Sequence, residues 1–194
     1  MTDNLPRRII LAITGASGAI LGIRALEMLK QLGVETHLII SRAGNLTITR
    51  ETQLQVKDVQ GMANAHYDPR DITAPIASGS FITTGMLVLP CSIKTLSAIA
   101  NSYANTLIAR AADVCLKEGR PCLLAVRETP FHAGHIHLMR LATQAGAVIC
   151  PPIPSFYNQP QSMDDLINNM VGRLILRLGI ENPYYTAWGA INSE

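Results

Sequence analysis

The sequence predicts an α/β fold, a single domain built on a doubly wound parallel sheet. Short apolar runs recur along the chain, each ends at a clear break, and a helical pattern follows most of the breaks. Strands that alternate with helices in this way pair in parallel. A chain of 194 residues can bury one full core, so we expect one domain over 1–194, with its core at about 7–180 and a C-terminal tail at 181–194.

The first strand and helix lie in the stretch 9–22, IILAITGASGAILG. The run Ile9 to Ile13 has the length of a strand buried on both faces, and Gly15 allows a tight turn after it. A helix is expected to follow, because apolar residues repeat at helical spacing up to Leu29 and the Ser17 hydroxyl can cap the first turn. Such a turn points free N–H groups and the positive end of a helix dipole at a bound anion. It is therefore a candidate nucleotide cradle.

FMN fits this turn better than NAD does. The glycines fall at Gly15, Gly18 and Gly22, so the GxGxxG fingerprint is not met. The second predicted strand, 34–40, ends at Ser41 rather than at the acidic residue that holds the ribose in NAD enzymes. A mononucleotide needs only hydroxyl and N–H donors for its phosphate. On these residues alone, a tight turn without a ligand stays open as the alternative.

The rest of the chain continues the alternation, with one long irregular segment. Ser41, Arg42 and Glu51 fall on the loop or helix after the second strand, and 58–65 is predicted as a further helix. Residues 66–80 are too rich in turn formers for a regular element, which is typical of a lid, a binding loop or an interface arm. The remaining predicted strands are 85–90, 122–126 and 147–151, and the remaining helices are 92–104, 106–117, about 131–146 and 163–178.

Two turns are expected to face each other at the middle of the sheet. In a flavodoxin-like strand order, 2-1-3-4-5, the first and third strands flank the point where ligands bind. The turn at Gly15 to Ser17 and the helix start at Ser92 to Thr95 would then meet across one crevice. Arg127 and Glu128 directly follow the fourth strand at the same edge, which favours a place in the site over a solvated loop.

Composition excludes several classes of function. The 16 basic and 14 acidic side chains give a net charge of +2 and no basic stripe with aromatic residues, so we expect no nucleic-acid role. Charged residues make up only 15% and apolar residues 48%, which predicts a homo-oligomer whose interfaces cover the excess apolar surface. No apolar run is long enough for a membrane span and MTDNLPRR lacks a signal-peptide core, so a cytoplasmic location is expected.

The cysteines and histidines predict no metal site. Four cysteines without a CxxC pair are interpreted as small buried thiols, with neither zinc nor disulfides implied. They are Cys91, Cys115, Cys122 and Cys150. The spacing of His132, His135 and His137 invites a metal, but no nearby acid or cysteine completes a ligand set. We interpret these histidines as loop and helix-start residues.

Eight short segments carry a family resemblance. They are TGASGA at 14–19, SR at 41–42, ET at 51–52, ASGS at 77–80, PCSIKTLS at 90–97, RAADVCLKEGRP at 110–121, VRETP at 126–130 and FYNQPQS at 156–162. Together, in this order, they resemble the flavin prenyltransferases of the UbiX type. The match runs from residue 9 to about 188, nearly the whole chain, and the fixed order of several motifs makes it specific.

The resemblance implies an enzyme that joins a dimethylallyl group from dimethylallyl phosphate to N5 and C6 of reduced FMN, without a metal. The product, prenylated FMN, is the cofactor of UbiD-type decarboxylases, including those of ubiquinone synthesis and aromatic acid breakdown. The resemblance also implies a Rossmann-like flavoprotein fold, with FMN held between neighbouring subunits of a dodecamer.

The resemblance further assigns roles by position. FMN contacts are expected at Gly15, Ala16, Ser17, Ser41, Ser92, Ile93, Lys94, Thr95 and Arg127. The leaving phosphate is expected to meet fixed cations and a phenol that can replace a metal, namely Lys117, Arg127, Tyr157 and Arg173. Catalytic roles, in proton handling or phosphate contact at the flavin edge, fall on Ser17, Glu51, Glu128 and Lys117. One departure is Ile72, where some relatives carry an aromatic residue.

Two alternatives stay open. FMN-dependent cysteine decarboxylases share the fold and FMN, and NSYANT at 101–106 resembles their PASANT signature, but their catalytic histidine and methionine-rich clamp have no counterpart here. Asn105 in that segment is therefore interpreted as a helix-start or interface residue. The second alternative is a non-catalytic flavin carrier. Lys117, Glu128 and Arg173 argue against it, since a carrier needs no second phosphate site beside the flavin.

Overall fold

The structure, a computed structural model, describes residues 7–189 and contains a six-stranded sheet with seven α-helices in that range. The strands are β1 (Arg8–Ile13), β2 (Glu35–Ile40), β3 (Ala65–Tyr67), β4 (Gly85–Cys91), β5 (Cys122–Val126) and β6 (Val148–Ile149). The helices are α1 (Ala19–Gln31), α2 (Arg42–Glu51), α3 (Val56–Gln60), α4 (Ile93–Ala100), α5 (Leu107–Lys117), α6 (Ala133–Gln144) and α7 (Met163–Arg177). The predicted single-domain α/β architecture is confirmed.

The strand order is β3-β2-β1-β4-β5-β6, and all paired strands run parallel. The five predicted strands are present in the predicted relative order. The structure adds β3 at the edge, where Ala65 pairs with His37 of β2. The predicted helix at 58–65 is therefore right only over 58–60, and the prediction that 66–80 contains no regular element is wrong. Helix α3 ends at Gln60, and a strand of three residues is too short to show an alternating pattern in the sequence.

Helices cover both faces of the sheet, as a doubly wound fold requires. Helices α1 and α7 pack together on one face, over one apolar cluster that includes Leu26 and Ile175. Helices α4, α5 and α6 pack on the other face, over a second cluster that includes Leu96 and Cys115. Because both faces are buried, β1 and β4 are apolar along nearly their whole length. This explains the continuous apolar runs of the sequence.

The chain leaves β1 and β4 toward opposite faces, which opens a crevice between their carboxyl ends. Thr14, directly after β1, joins the two ends. Its hydroxyl donates to the carbonyl of Pro90 over 2.7 Å and accepts from the backbone N–H of Ser92 over 2.8 Å. The two predicted turns are thus held side by side at the topological switch point.

Large apolar side chains remain exposed on the single chain. Ile153, Phe156 and Met163 are each more than 60% exposed, and Trp188 is 79% exposed. Apolar surface of this kind is typical of subunit interfaces. Within the described residues, no helix has the length and apolar character that a membrane span needs.

Gly22 sets how closely α1 approaches the sheet. A Cβ at this position would lie 2.5 Å from the carbonyl oxygen of Leu89 and 2.7 Å from Cγ1 of Ile13. We predict that Gly22→Ala lowers the free energy of unfolding by about 3 kcal/mol, because backbone of β4 would have to move. The control is Gly61→Ala, where a Cβ meets nothing closer than 3.5 Å. Urea denaturation should show a change below about 0.5 kcal/mol for the control.

Candidate functional site

The N-terminus of α1 is already engaged by a carboxylate. The backbone N–H groups of Gly18 and Ala19 donate to Glu51 over 2.8 and 3.0 Å. The N-cap residue of α1 is Gly18, with φ of 103°, and it has no side chain that could cap the helix. The predicted cap by the Ser17 hydroxyl is therefore wrong. Glu51, from the end of α2, thus takes the place that we predicted for a phosphate. The predicted catalytic residues Ser17 and Glu51 lie at the same helix terminus.

Serine hydroxyls cap the two helices on either side of this turn. Ser41 accepts from the N–H of Gly44 over 3.0 Å and begins α2, and Ser92 accepts from the N–H of Thr95 over 3.4 Å and begins α4. Neither helix start receives a carboxylate from a described residue. Because Glu51 fills the start of α1, the first turn of α4 is the better place for a phosphate.

A cavity of about 270 Å³ lies between these helix starts, and we call it the switch-point cavity. Its lining residues include five predicted FMN contacts: Gly15, Ser41, Ser92, Lys94 and Thr95. It is also lined by residues that we did not predict as contacts: Arg42, Ala43, Pro69, Arg70, Ala98, Asn105, Thr106, Ile108 and Ala109. The other predicted contacts, Ala16, Ser17, Ile93 and Arg127, are outside its lining. For all nine residues, the contact with FMN itself stays a prediction.

The switch-point cavity fits a flavin mononucleotide. The Ser92 and Thr95 hydroxyls and the backbone N–H of Lys94 can donate to a phosphate. The side chains of Lys94 and Arg42 add positive charge. The alanines and Ile108 give an apolar surface for a ring system. Gly15 leaves room for this arrangement, since a Cβ there would overlap Ala43 at the start of α2. The chemistry of these donors therefore matches the predicted ligand.

A second cavity, of about 460 Å³, opens beside the end of β6, and we call it the proline-loop cavity. It is lined by Cys150, Pro151, Pro152, Ile153, Pro154, Ser155, Tyr157, Asn169, Met170, Arg173, Leu174, Tyr185 and Trp188. It thus brings together two of the predicted phosphate residues, Tyr157 and Arg173. Sequence analysis missed Tyr185 and Trp188, because they lie in the C-terminal tail, which carries no helical or strand pattern.

Hydrogen bonds organise the polar side of the proline-loop cavity. Arg173 donates to the Tyr185 hydroxyl over 2.7 Å, and its guanidinium also lies 5.4 Å from the centre of that ring. The Tyr157 hydroxyl lies 3.3 Å from the Tyr185 hydroxyl and donates to the carbonyl of Thr186 over 3.0 Å. The hydrogen bond with Tyr185 raises the pKa of Tyr157, so the Tyr157 phenol stays a neutral donor at physiological pH.

Strand β5 ends between the two cavities. In the sheet it lies between β4, which borders the switch-point cavity, and β6, which borders the proline-loop cavity. Arg127 and Glu128 directly follow β5 and are exposed at this edge. The backbone N–H of Arg127 donates to the carbonyl of Cys91 over 3.0 Å, which fixes the start of the loop. Both residues therefore lie at the same end of the sheet as the two cavities, but neither of them lines a cavity.

Lys117 lies at the opposite end of the sheet, near the amino ends of the strands. Helix α5 begins beside the switch-point cavity and runs for 11 residues, about 16 Å, toward the amino ends of the strands. There Lys117 pairs with Glu118 and lies close to Gly79. One chain therefore does not bring Lys117 together with Tyr157 and Arg173, as the predicted phosphate site requires.

The thiols and histidines have structural surroundings. Burial raises the pKa of Cys91 to about 12 and that of Cys115 to about 11, and it raises the pKa of Cys122 as well. Cys150 is only half-buried. His132 is the N-cap of α6, in agreement with its interpretation as a helix-start residue. Within 7–189, no group of three or more His, Cys, Asp or Glu side chains is placed to hold a metal.

We predict that iodoacetamide at pH 8 modifies native protein at Cys150 alone. The three fully buried thiols are protonated and out of contact with solvent, whereas Cys150 is partly accessible. Peptide mass spectrometry after labelling checks this, and protein unfolded in urea, in which all four sites should react, is the control.

Comparisons with known proteins agree with the geometry. The family model described as Flavoprotein matches residues 1–174. Flavin prenyltransferase UbiX from Escherichia coli (strain K12) is 52% identical to this chain over 178 residues, which are 91% of this chain and 94% of that protein.

Two solved structures are similar over nearly the whole chain. One is AnUbiX (PadA1) in complex with FMN and dimethylallyl pyrophosphate, with a TM-score of 0.93 and 44% identity over 95% of this chain and 98% of that one. The other is the dodecameric FMN-dependent UbiX-like decarboxylase from Escherichia coli O157:H7, with a TM-score of 0.90 and 43% identity over 93% of this chain and 98% of that one.

Similarity to the FMN-dependent cysteine decarboxylases extends only to the fold. The FMN-dependent cysteine decarboxylase TvaF has a TM-score of 0.64 but only 12% identity, so it says nothing about chemistry. The relatives that share about half of their residues with this chain are flavin prenyltransferases. The chain therefore belongs to the flavin prenyltransferase family of the UbiX type.

Proposed function

We propose that this protein is a flavin prenyltransferase, which transfers a dimethylallyl group from dimethylallyl phosphate to N5 and C6 of reduced FMN. The observation that carries the proposal is the presence of two cavities at one edge of the sheet. The switch-point cavity fits FMN, and the proline-loop cavity offers Arg173 and two phenols to a second anion. The neighbouring structure with FMN and dimethylallyl pyrophosphate supports the same pair of ligands.

The reaction breaks the bond between the allylic carbon and the phosphate oxygen and releases phosphate. A bond forms between the allylic carbon and N5 of the flavin, and the N5 proton leaves. The alkene of the dimethylallyl group then takes up a proton, its tertiary carbon forms a bond with C6, and the C6 proton leaves, so that the one proton released overall can go to the phosphate. Reduced FMN supplies the electron-rich N5 for this chemistry. The task of the protein is to stabilise negative charge on the leaving phosphate, to hold the reacting carbon near N5 and to move protons.

The leaving phosphate would be held by Arg173, Tyr157, Arg127 and Lys117. A guanidinium can grip two phosphate oxygens at once, which both neutralises charge and fixes orientation. In the described structure Arg173 is held ready by Tyr185 over 2.7 Å. These fixed cations can do the work that other prenyl-transfer enzymes give to magnesium, which is why we propose a metal-independent reaction.

Protons would be handled by Ser17, Glu51 and Glu128. Ser17 and Glu51 lie together at the start of α1, beside the switch-point cavity, and Glu128 follows β5 between the cavities. Glu51 accepts hydrogen bonds from two backbone N–H groups, which fix the position of its side chain. A carboxylate held at the flavin edge can accept a proton. FMN itself would contact the nine residues expected from the resemblance, with its phosphate at the start of α4.

We further propose that each complete site is formed by more than one subunit of a dodecamer. Lys117 lies at the opposite edge of its own chain, so it can reach the phosphate only from a neighbouring copy. The exposed side chains of Ile153, Phe156 and Trp188 would then be covered by neighbours. The dodecameric relative from Escherichia coli O157:H7 supports this number of subunits.

The product would pass to a UbiD-type decarboxylase, in ubiquinone synthesis or in the breakdown of aromatic acids. This part of the proposal depends on the family resemblance. The cytoplasmic location and the single domain over 1–194, with residues 1–6 and 190–194 outside the described range, stay predictions.

The direct test is an anaerobic transfer assay. Purified protein is incubated with reduced FMN and dimethylallyl monophosphate, and the flavin is analysed by mass spectrometry. We expect flavin that is heavier by one prenyl unit, together with free phosphate. Unchanged flavin with both the monophosphate and the diphosphate donor would contradict the proposed function.

A further inference from the structure

The proline-loop cavity holds a buried polar group that neither the resemblance nor the proposed mechanism uses. Asn169 lies on α7 and is only 4% exposed. Its side-chain oxygen accepts a hydrogen bond from the Ser155 hydroxyl over 2.9 Å. Its side-chain nitrogen lies fully buried and has no hydrogen-bond partner among the described residues. A buried amide without a partner is unfavourable for the folded protein, so it indicates a missing acceptor.

The surroundings of Asn169 show what kind of acceptor is missing. Arg173 is four residues further along α7, which places the two side chains on the same face of the helix and toward the same cavity. Tyr157 and Tyr185 add hydroxyl groups. None of the described residues that line the cavity is acidic, so the lining carries one positive charge and no negative charge. Donors that converge beside a single cation fit an oxyanion with several oxygens.

The apolar part of the lining fits the rest of such a ligand. Met170, Leu174 and Trp188 line the same cavity, together with the prolines of 151–154. A short branched hydrocarbon would be covered by these side chains. The cavity therefore combines an anion-binding end with an apolar wall, as a prenyl phosphate requires.

We propose that Asn169 is a further substrate-binding residue, which donates a side-chain N–H to a phosphoryl oxygen of the prenyl donor beside Arg173. The proposal deepens the proposed function and depends on it for the identity of the ligand. Ser155 has a supporting role. Its hydrogen bond to the amide oxygen fixes the orientation of the amide, which leaves the nitrogen as the end without a partner among the described residues. A small movement of the side chain would bring this nitrogen to the ligand.

Asn169→Leu and Asn169→Asp test this proposal. Leucine has a similar volume but no donor, and we expect it to weaken binding of dimethylallyl monophosphate roughly tenfold, as loss of one hydrogen bond to a charged group does. Aspartate has nearly the same shape but carries an ionised oxygen, so repulsion should weaken binding roughly a hundredfold. Calorimetric titration of protein loaded with FMN measures both dissociation constants.

The matched control is Asn168→Asp, the same substitution one residue earlier. Asn168 accepts a hydrogen bond from Arg24 of α1 and is outside the lining of the proline-loop cavity, so its new carboxylate faces a cation elsewhere. We expect its affinity for dimethylallyl monophosphate to stay within about twofold of wild type, since surface charges of this kind contribute little. A role of Asn169 in folding alone would lower the melting temperature and leave the affinity unchanged.

The outcomes separate this inference from the proposed function. The role of Asn169 is supported if both Asn169 variants bind dimethylallyl monophosphate more weakly than wild type. The melting temperature of Asn169→Leu should then be equal to or above that of wild type. Binding equal to wild type in either variant overturns it, as does a wild-type protein that does not bind dimethylallyl monophosphate. Wild-type protein that binds this probe but makes no prenylated flavin overturns the proposed function instead, and the affinities still decide the role of Asn169.

Discussion

Replacing Arg173 by alanine should slow prenyl transfer about a thousandfold while FMN stays bound. Arg173 is the one described cation that lines the proline-loop cavity, and the leaving phosphate gains charge as the carbon–oxygen bond breaks. Loss of a preorganised group that stabilises such charge typically reduces the rate by about 10²- to 10³-fold, and the arginine is charged, which favours the upper value. FMN binds in the other cavity, so a flavin titration should give an unchanged dissociation constant.

Arg177→Ala is the matched control for this prediction. Arg177 lies one helical turn beyond Arg173, and both side chains are exposed to solvent. Arg177 is outside the lining of the proline-loop cavity. Its substitution should change the transfer rate by less than about threefold, as expected for a screened surface charge. Equal losses in the two variants would mean that general positive charge on α7 matters and that Arg173 has no specific role.

Replacing Lys117 by alanine should also slow prenyl transfer, although in its own chain Lys117 lies near the amino ends of the strands and Arg173 lies near their carboxyl ends. The expected loss is again about 10²-fold or more, because a second fixed cation on the phosphate would be missing. Steady-state rates with dimethylallyl monophosphate measure it. A variant with full activity would remove Lys117 from the site.

Mixing the two inactive variants tests whether the site is shared between subunits. When Lys117→Ala and Arg173→Ala subunits are unfolded together and refolded in equal amounts, about a quarter of the composite sites would contain both native residues, if these come from different copies. Transfer activity should then return to about that fraction. Each variant refolded alone is the control and should stay inactive. No recovery in the mixture would contradict a site built from neighbouring subunits.

Much of the fold was predictable because a doubly wound sheet has a strong local signal. Strand β5 and the helix caps at Ser92 and Thr106 follow from apolar runs and capping residues that lie next to each other in the sequence. Strand β3 was missed because its pairing with β2 is a tertiary contact. Three half-buried residues at a sheet edge carry too little apolar surface to form a pattern.

The first half of the candidate site was predictable for the same reason. Gly15 and Ser92 lie directly after buried strands, so the order of the strands alone brings them to one crevice. The cap of α1 was not predictable, since Glu51 is more than 30 residues away from Gly18 in the sequence. The Glu51 carboxylate, from α2, takes the capping role that we predicted for Ser17, because it accepts from two backbone N–H groups at once.

The second half of the site depends on contacts that no local pattern contains. Tyr185 meets Arg173 only because the C-terminal tail folds back over α7. Asn169 lies beside the apolar stripe of α7, where its spacing from Arg173 was visible in the sequence but its burial was not. The position of Lys117 at the opposite edge follows from the direction of α5, and only the assembled oligomer can show which residues it meets.

The most direct test of the account is prenyl transfer in the presence of a metal chelator. Protein treated with EDTA is mixed anaerobically with reduced FMN and dimethylallyl monophosphate, and the prenylated flavin is measured over time with and without added magnesium. If Arg173 and its neighbours stabilise the leaving phosphate, the two rates should be equal. Transfer that appears only when magnesium is restored would contradict the claim that fixed side-chain charges hold the phosphate.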